Sequence, residues 1–280
     1  MLWNARNGSI PIGDTKMAYA SFGYGWKRLV LLPGLSDGLS TVKGKALLLA
    51  MAYRRFSERY TVFFFSRKDR MPKGYSIREM AADQAAAMQA LGMEGSCVMG
   101  ISQGGMIAQY LTIDHPELVE KLVIAVSAPQ VNQRIQTCVT GWIEMARAGE
   151  HKRLMVDTAE KSYSSAYLKK YRKLYPIIGG LGKPKSYGRF LINANAILGF
   201  HAREELGRIA CPTLILAGGE DQIVGVQAAR EMHERIAGSQ LWIYPGLGHA
   251  DYEEAPDFQE RVFRFLESET PSPERNAAER

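Results

Sequence analysis

The stretch "VMGISQGGMIAQ", residues 98–109, crowds Gly100, Gly104 and Gly105 around Ser102 directly after a short apolar run. Glycine weakens strands and helices alike, so three this close suit a place where the backbone turns sharply or another segment passes near. The residues before them read as a strand, and "GGMIAQYLTI" (104–113) reads as a helix. Gly100-Ile101-Ser102-Gln103-Gly104 therefore puts a G-x-S-x-G pattern at a strand–turn–helix junction. Such a turn exposes the serine hydroxyl and sets it beside the N–H groups and positive dipole end of a helix, where negative charge can develop.

Working outward, five more short apolar runs share the character of the one before Ser102. They are "RLVLL" (28–32), "YTVFFFS" (60–66), "KLVIAVSA" (121–128), "TLILAGG" (213–219) and "SQLWIY" (239–244), with "SCVMG" (96–100) the run at the serine itself. Runs apolar throughout suit strands covered on both faces, as in a parallel sheet. Between them lie helical patterns: "SIREMAADQAAAMQALGM" (76–93), with Ser76 and Glu79 as a capping box, "GVQAAREMHERI" (225–236) and "PDFQERVFRFLE" (256–267). This alternation predicts βαβ units and an α/β fold, a mostly parallel central sheet with helices on both faces. "GSIPIGDTKMAYASFG" (8–23) instead reads as an antiparallel hairpin at the sheet edge.

Residues 130–205 break the rhythm with a tyrosine-rich, mainly helical stretch, interrupted by "PIIGGLGKPKSYG" (176–188). The expected organisation is a core in two parts, 1–129 and 206–268, an inserted helical cap at 130–205, and a polar, disordered tail at 269–280. The cap segment holds 13 Lys/Arg against 6 Asp/Glu, so it alone accounts for the net charge of +6. It carries no nucleic-acid-binding signature, which makes a solvated basic face the expectation and nucleic acid no expected partner. Three scattered cysteines make neither a disulfide framework nor a metal site. No window reaches the ~18 apolar residues of a membrane span, and the first residues lack a signal-peptide layout, so a cytoplasmic protein without stable membrane insertion is expected.

A serine hydroxyl needs a base to take its proton and a carboxylate to orient that base. Of five histidines, His115 ends the helix after Ser102, His151 and His201 lie in the expected cap, and His233 sits among charged neighbours on a helix. His249, in "YPGLGHADYEEAP", lies in a loop between the last strand and the last helix, where Gly246 and Gly248 let the chain reach over the sheet. Glu220 and Asp221 directly follow "TLILAGG", and loops leaving the C-terminal ends of strands are where ligand-handling groups collect in open α/β sheets. Asp114 and Asp251 read as a helix-end residue and an exposed loop residue. The order Ser102, acid, His249 matches that of α/β-hydrolases and differs from the chymotrypsin-like and subtilisin-like orders. Oxyanion donors are then the backbone N–H of Gln103 and one from "PGLSDG" (33–38), namely Leu35.

On these residues the chain resembles an α/β-hydrolase fold protein of the compact, helical-capped kind. Gly100 through "GGMIAQYLTIDHPELVEKLVIAVSA" and the ending "GLGHADYEEAPDFQERVFRFL" are similar to the group of 3-oxoadipate enol-lactonases, haloperoxidase-like esterases and C–C bond hydrolases. Gly218-Gly219-Glu220-Asp221 resembles the family's G-x-x-D turn, which favours Asp221 over Glu220. Two features depart from the pattern. Pro33 stands where the family carries a histidine beside the oxyanion loop, and "SRKDRMPKGYS" (66–76) keeps Arg67 but not the glycines of an Arg-Gly-x-Gly segment. The resemblance implies a serine esterase or lactonase using no cofactor, acting on a small to medium, partly apolar molecule. The same triad serves C–C bond hydrolysis, and the same fold can bind ligands without cleaving them. Trp142, Met145 and Tyr163 are the expected substrate-binding residues among the aromatic and methionine side chains of the cap, which also include Met155, Tyr167, Tyr171, Tyr175 and Phe190.

Overall fold

A computed structural model describes residues 2–175 and 179–269. Its strands are β1 (Arg6–Ile12), β2 (Thr15–Phe22), β3 (Lys27–Leu32), β4 (Tyr60–Lys68), β5 (Ser96–Ile101), β6 (Val119–Ala125), β7 (Thr213–Gly218) and β8 (Gln240–Tyr244). They form one sheet in the order β1-β2-β4-β3-β5-β6-β7-β8. β1 and β2 make the antiparallel hairpin, turning at Gly13 (φ +57°), and β2 pairs antiparallel with β4. All other neighbours run parallel.

Alternation along each strand sends side chains to two cores. From β3, Val30 and Leu32 join a cluster with α2 (Ile77–Ala90) and α3 (Gln103–Asp114), where Met80, Ala81, Ile107 and Leu111 are buried. Leu29 and Leu31 point the other way, toward α1 (Ala46–Ala52) and the last helix (Phe258–Glu267), which contribute Ala46, Ala50, Phe258 and Val262. With both faces covered, polar positions inside these strands would be costly, which is why the runs are apolar throughout. Ser76 begins α2 with both halves of the capping box formed, a device that stabilises a helix by about 1 kcal/mol.

The order reverses beside β3: the chain proceeds from β3 to β4 on one side, and returns past it to β5 on the other. Loops leaving β3 and β5 therefore diverge and leave a crevice at the C-terminal edge of the sheet. Between β6 and β7 the chain leaves the sheet for α4 (Gln133–Arg147), α5 (His151–Ser162), α6 (Ser165–Tyr171) and α7 (Gly188–Leu198). Its entry and exit are stitched together by Val131 N–H to Phe200 O at 3.1 Å and Ala202 N–H to Pro129 O at 2.8 Å. The interruption expected at 176–188 lies partly outside the described residues, and residues 179–187 run as turns, bends and irregular backbone. Residues 270–280 of the expected tail lie outside the described residues. Among the described residues, no helix is long and apolar enough to cross a membrane.

Candidate active site

Ser102 sits between β5 and α3 with φ +54° and ψ −118°, a left-handed conformation that costs a non-glycine residue of order 1–3 kcal/mol. The surrounding glycines are required by contact. A Cβ on Gly104 would lie 1.9 Å from the Leu32 carbonyl oxygen, and one on Gly100 would lie 2.3 Å from that of Gly104. A Cβ on Gly105 would meet Ser127 Cβ at 2.6 Å. Close packing of α3 against the end of β3 and the segment after β6 thus leaves no room for side chains. The turn is pinned by Ser102 N–H to Ala125 O and by Ser127 Oγ–H to Ser102 O, both 2.9 Å.

His249 lies in the loop after β8. Gly246 takes φ +72°, and a Cβ on Gly248 would lie 2.5 Å from the carbonyl oxygen of Ser162. The flanking glycines therefore do two jobs, one a turn and one a close approach to the end of α5. His249 Nε2 is 2.9 Å from Ser102 Oγ, and its Nδ1 is 2.7 Å from Asp221 Oδ2. Asp221 Oδ1 accepts the backbone N–H groups of Ile223 and Val224 at 2.8 and 2.9 Å. Burial pushes the Asp221 carboxyl up, but the His249 charge and these hydrogen bonds together hold it below its ordinary range. An ionised carboxylate only accepts, so the Nδ1 proton faces Asp221 and Nε2 is left to accept from the serine hydroxyl. Glu220 is exposed and its side chain takes no part. His115, His151, His201 and His233 are each engaged elsewhere, with Glu117, Leu181 O, Gly199 O and Ser239 Oγ respectively.

The loop after β3 comes within reach of the serine: a Cβ on Gly34 would lie 3.3 Å from Ser102 Cβ. Leu35 and Gln103 each open a helical turn, and among the described residues neither backbone N–H is taken up by a protein acceptor. Where the resemblance calls for a histidine beside this loop, buried Asp37 braces it instead, accepting from Arg67 N–H at 3.1 Å and from Arg189 Nη2 at 2.7 Å. Arg67 is also buried, and its Nη2 donates to Gln103 Oε1 at 2.9 Å. Burial lowers its guanidinium to about 10, which leaves it charged at neutral pH.

A cavity of about 160 Å³ opens onto Ser102 and His249, with Leu39, Val139, Trp142, Phe190, Ile197 and Ile223 among its walls. Among the described residues, no Asp, Glu, Lys or Arg lines it. Trp142 is in the wall, its indole N–H held by Asp157 at 2.8 Å. Met145, one turn further along α4, packs against the core instead, and Tyr163 hydrogen-bonds Glu253 at 2.6 Å and stacks on Tyr167. Neither reaches the cavity, whereas Met155 and Phe190 do.

Asp251, expected to be exposed, is fully buried, and neither carboxylate oxygen has a hydrogen-bond partner among the described residues. Burial first, then the nearby Asp221, raise its carboxyl well above the ordinary range. Asp37 and Arg189, which nothing in the sequence singles out, carry no motif of their own. Their roles come from tertiary packing alone. Among the described residues no three His, Cys, Asp or Glu side chains converge as a metal site. Burial pushes the thiols of Cys97 and Cys211 up to about 12 and 11, so neither is a ready nucleophile at neutral pH.

Residues 65–256 match the family model described as the alpha/beta hydrolase fold. A candidate carbamate hydrolase, RutD, of Caulobacter sp. is 27% identical over 213 residues, spanning 70% of this chain and 74% of its own. Among solved structures, the enol-lactonase from Burkholderia xenovorans superposes with a TM-score of 0.79 at 18% identity, covering 93% of this chain and 100% of that one. An esterase from Exiguobacterium antarcticum gives a TM-score of 0.76 at 24% identity, covering 94% and 100%. At these identities, the structural likenesses speak to the fold.

Proposed function

This chain belongs to the α/β-hydrolase fold family and is a hydrolase, and from that premise we propose that it cleaves carboxylic esters or lactones of small, uncharged, apolar acids through an acyl-serine intermediate. The observation that carries this reading is the unbroken line from Asp221 through His249 to Ser102, with contacts of 2.7 and 2.9 Å. Ser102 Oγ attacks the carbonyl carbon while its proton passes to His249 Nε2. The carbonyl oxygen gains negative charge facing the Leu35 and Gln103 N–H groups. Each such donor is worth about 3–4 kcal/mol in the transition state. Collapse breaks the bond to the leaving oxygen, which takes the proton from His249. Water then repeats the sequence on the acyl-enzyme, and Asp221 keeps the imidazole in one tautomer throughout.

The cavity supports the substrate class. Among the described residues its walls hold no Asp, Glu, Lys or Arg to pair with a second charge, and burying an unpaired carboxylate costs far more than an apolar acyl chain gains. A cavity of about 150 Å³ holds a benzene-sized group, which corresponds to an acyl portion of roughly six carbons. The helical insertion closes over this space and acts as a cap. The test is to incubate the protein with a fluorophosphonate probe and with p-nitrophenyl esters from acetate to decanoate, beside Ser102→Ala. Labelling and turnover that vanish in the variant support the reading. A wild-type chain that is neither labelled nor active on any ester overturns it.

A further inference from the structure

Both segments assigned as oxyanion donors are tied to one helix of the insertion, α7. Arg189, in its first turn, donates through Nη2 to Asp37 Oδ2 at 2.7 Å and to Arg67 O at 2.8 Å. Its Nη1 reaches Lys68 O at 2.8 Å and its Nε reaches Asp37 O at 3.1 Å. One guanidinium thus spans the end of β4 and the loop that carries Leu35. The contact is also one of backbones, since a Cβ on Gly38 would lie 2.8 Å from Phe190 Cα. On the other side, Gln103 Nε2 donates to Asn193 O at 2.8 Å, one turn along the same helix, and Asn193 Nδ2 returns to Arg189 O at 2.9 Å. The circuit Arg189–Asp37–Arg67–Gln103–Asn193 closes on itself. Phe190 and Ile197 of α7 also wall the cavity, so the surface that meets the substrate and the bracket that holds the donors are one rigid element.

We infer that Arg189 is a positioning residue that sets the oxyanion loop, so that the oxyanion hole is complete only while α7 is seated on the core. The inference rests on the reading of Leu35 and Gln103 as the oxyanion donors. Arginine suits the task because its planar fork serves four acceptors at once, whereas a lysine ammonium keeps the charge opposite Asp37 but cannot reach them all. Keeping that charge matters for folding, because the Asp37 side chain is fully buried and would otherwise be left unpaired.

Arg189→Lys is therefore the informative variant. It is compared with the wild type for p-nitrophenyl butyrate turnover and for inhibition by butylboronic acid and by hexanol. The boronic acid accepts the Ser102 Oγ lone pair into the empty orbital on boron as the hydroxyl proton moves to His249, giving a tetrahedral adduct that needs the oxyanion hole. Hexanol only fills the cavity. The expected result is a kcat about 10- to 100-fold lower, a boronate inhibition constant raised by the same factor, and hexanol inhibition unchanged within about twofold. Unchanged boronate affinity, or boronate and hexanol weakening together, overturns the inference. A wild-type protein that neither turns over esters nor binds the boronate overturns the underlying serine-hydrolase reading instead, a separate outcome visible before any variant is made.

Discussion

Asp221 divides its two oxygens, one 2.7 Å from His249 Nδ1 and the other accepting the N–H groups of Ile223 and Val224. An asparagine in its place has one acceptor oxygen for these two tasks. Keeping the backbone bonds turns the amide NH2 toward His249 and forces the proton onto Nε2, the wrong tautomer for taking a proton from Ser102. Asp221→Asn is thus expected to fold and to lose about 10⁴ in kcat, by analogy with the same change in serine proteases. Ester kinetics beside a circular-dichroism melt check this; a variant within tenfold of wild type would remove Asp221 from the proposed role.

Two glycines of this chain predict opposite responses to one methyl group. Gly104 has the Leu32 carbonyl oxygen 1.9 Å from where its Cβ would be, with the Pro33 oxygen at 2.8 Å, so β3 and α3 must separate to admit it. Gly141, inside α4, has nothing within 4 Å of that point. Gly104→Ala is expected to be insoluble or destabilised by more than about 3 kcal/mol, as overpacking against backbone implies. Gly141→Ala is expected to gain about 0.5–1 kcal/mol from helix propensity. Denaturant melts of both decide it.

This contrast marks what the sequence makes legible. Apolar runs fix the strands because a sheet covered on both faces tolerates little else, and the hairpin turn and the capping box at Ser76 are local signals. Ser102 and His249 stand out because each sits in a loop whose glycines advertise a sharp turn or close approach, whereas Asp221 is told from its neighbour Glu220 only by the resemblance of Gly218-Gly219-Glu220-Asp221 to the family's turn. Arg189 and Asp37 are not. They lie 152 residues apart, and a half-buried arginine looks like any surface arginine until the fold brings its acceptors together. Met145 shows the same limit on a helix: its type suits a pocket, but the rotation of α4 turns Trp142 into the cavity wall and leaves Met145 half-buried against the core.

Asp251 carries a prediction about pH. Among the described residues its carboxylate oxygens have no side-chain partner, and its pKa in the folded protein is raised well above the ordinary value, burial being the main cause. The unfolded chain ionises this group near pH 3.9, so above that pH ionisation favours unfolding, and the penalty grows by up to about 1.4 kcal/mol per pH unit until the folded-state pKa is reached. Asp251→Asn keeps the shape and cannot ionise. It is expected to raise the melting temperature at pH 8, by about 2 °C per kcal/mol recovered, and to do so less at pH 5. Melts of the two proteins at both pH values test the sign. An equal or lower melting temperature for the variant at pH 8 would mean that Asp251 is ionised and paired.

The size of the cavity makes the last prediction. At about 160 Å³ it matches the acyl chain proposed for the substrate in size, and Trp142 forms part of its wall. The indole N–H bonds Asp157, but Asp157 is also paired with Lys161 at 2.5 Å, so removing the indole leaves no orphaned charge. Wild-type kcat/KM is expected to peak at butyrate or hexanoate among p-nitrophenyl esters and to fall at decanoate. Trp142→Ala opens the wall and should shift the optimum toward octanoate or longer, with decanoate improving about tenfold relative to butyrate, the scale of one or two methylenes newly accommodated. Its melting temperature will drop, since truncating a buried tryptophan costs about 3–5 kcal/mol, so the comparison is made well below the melt. Because the ratio of two esters on one protein is unaffected by the fraction folded, an unchanged ratio would mean that the acyl chain lies elsewhere.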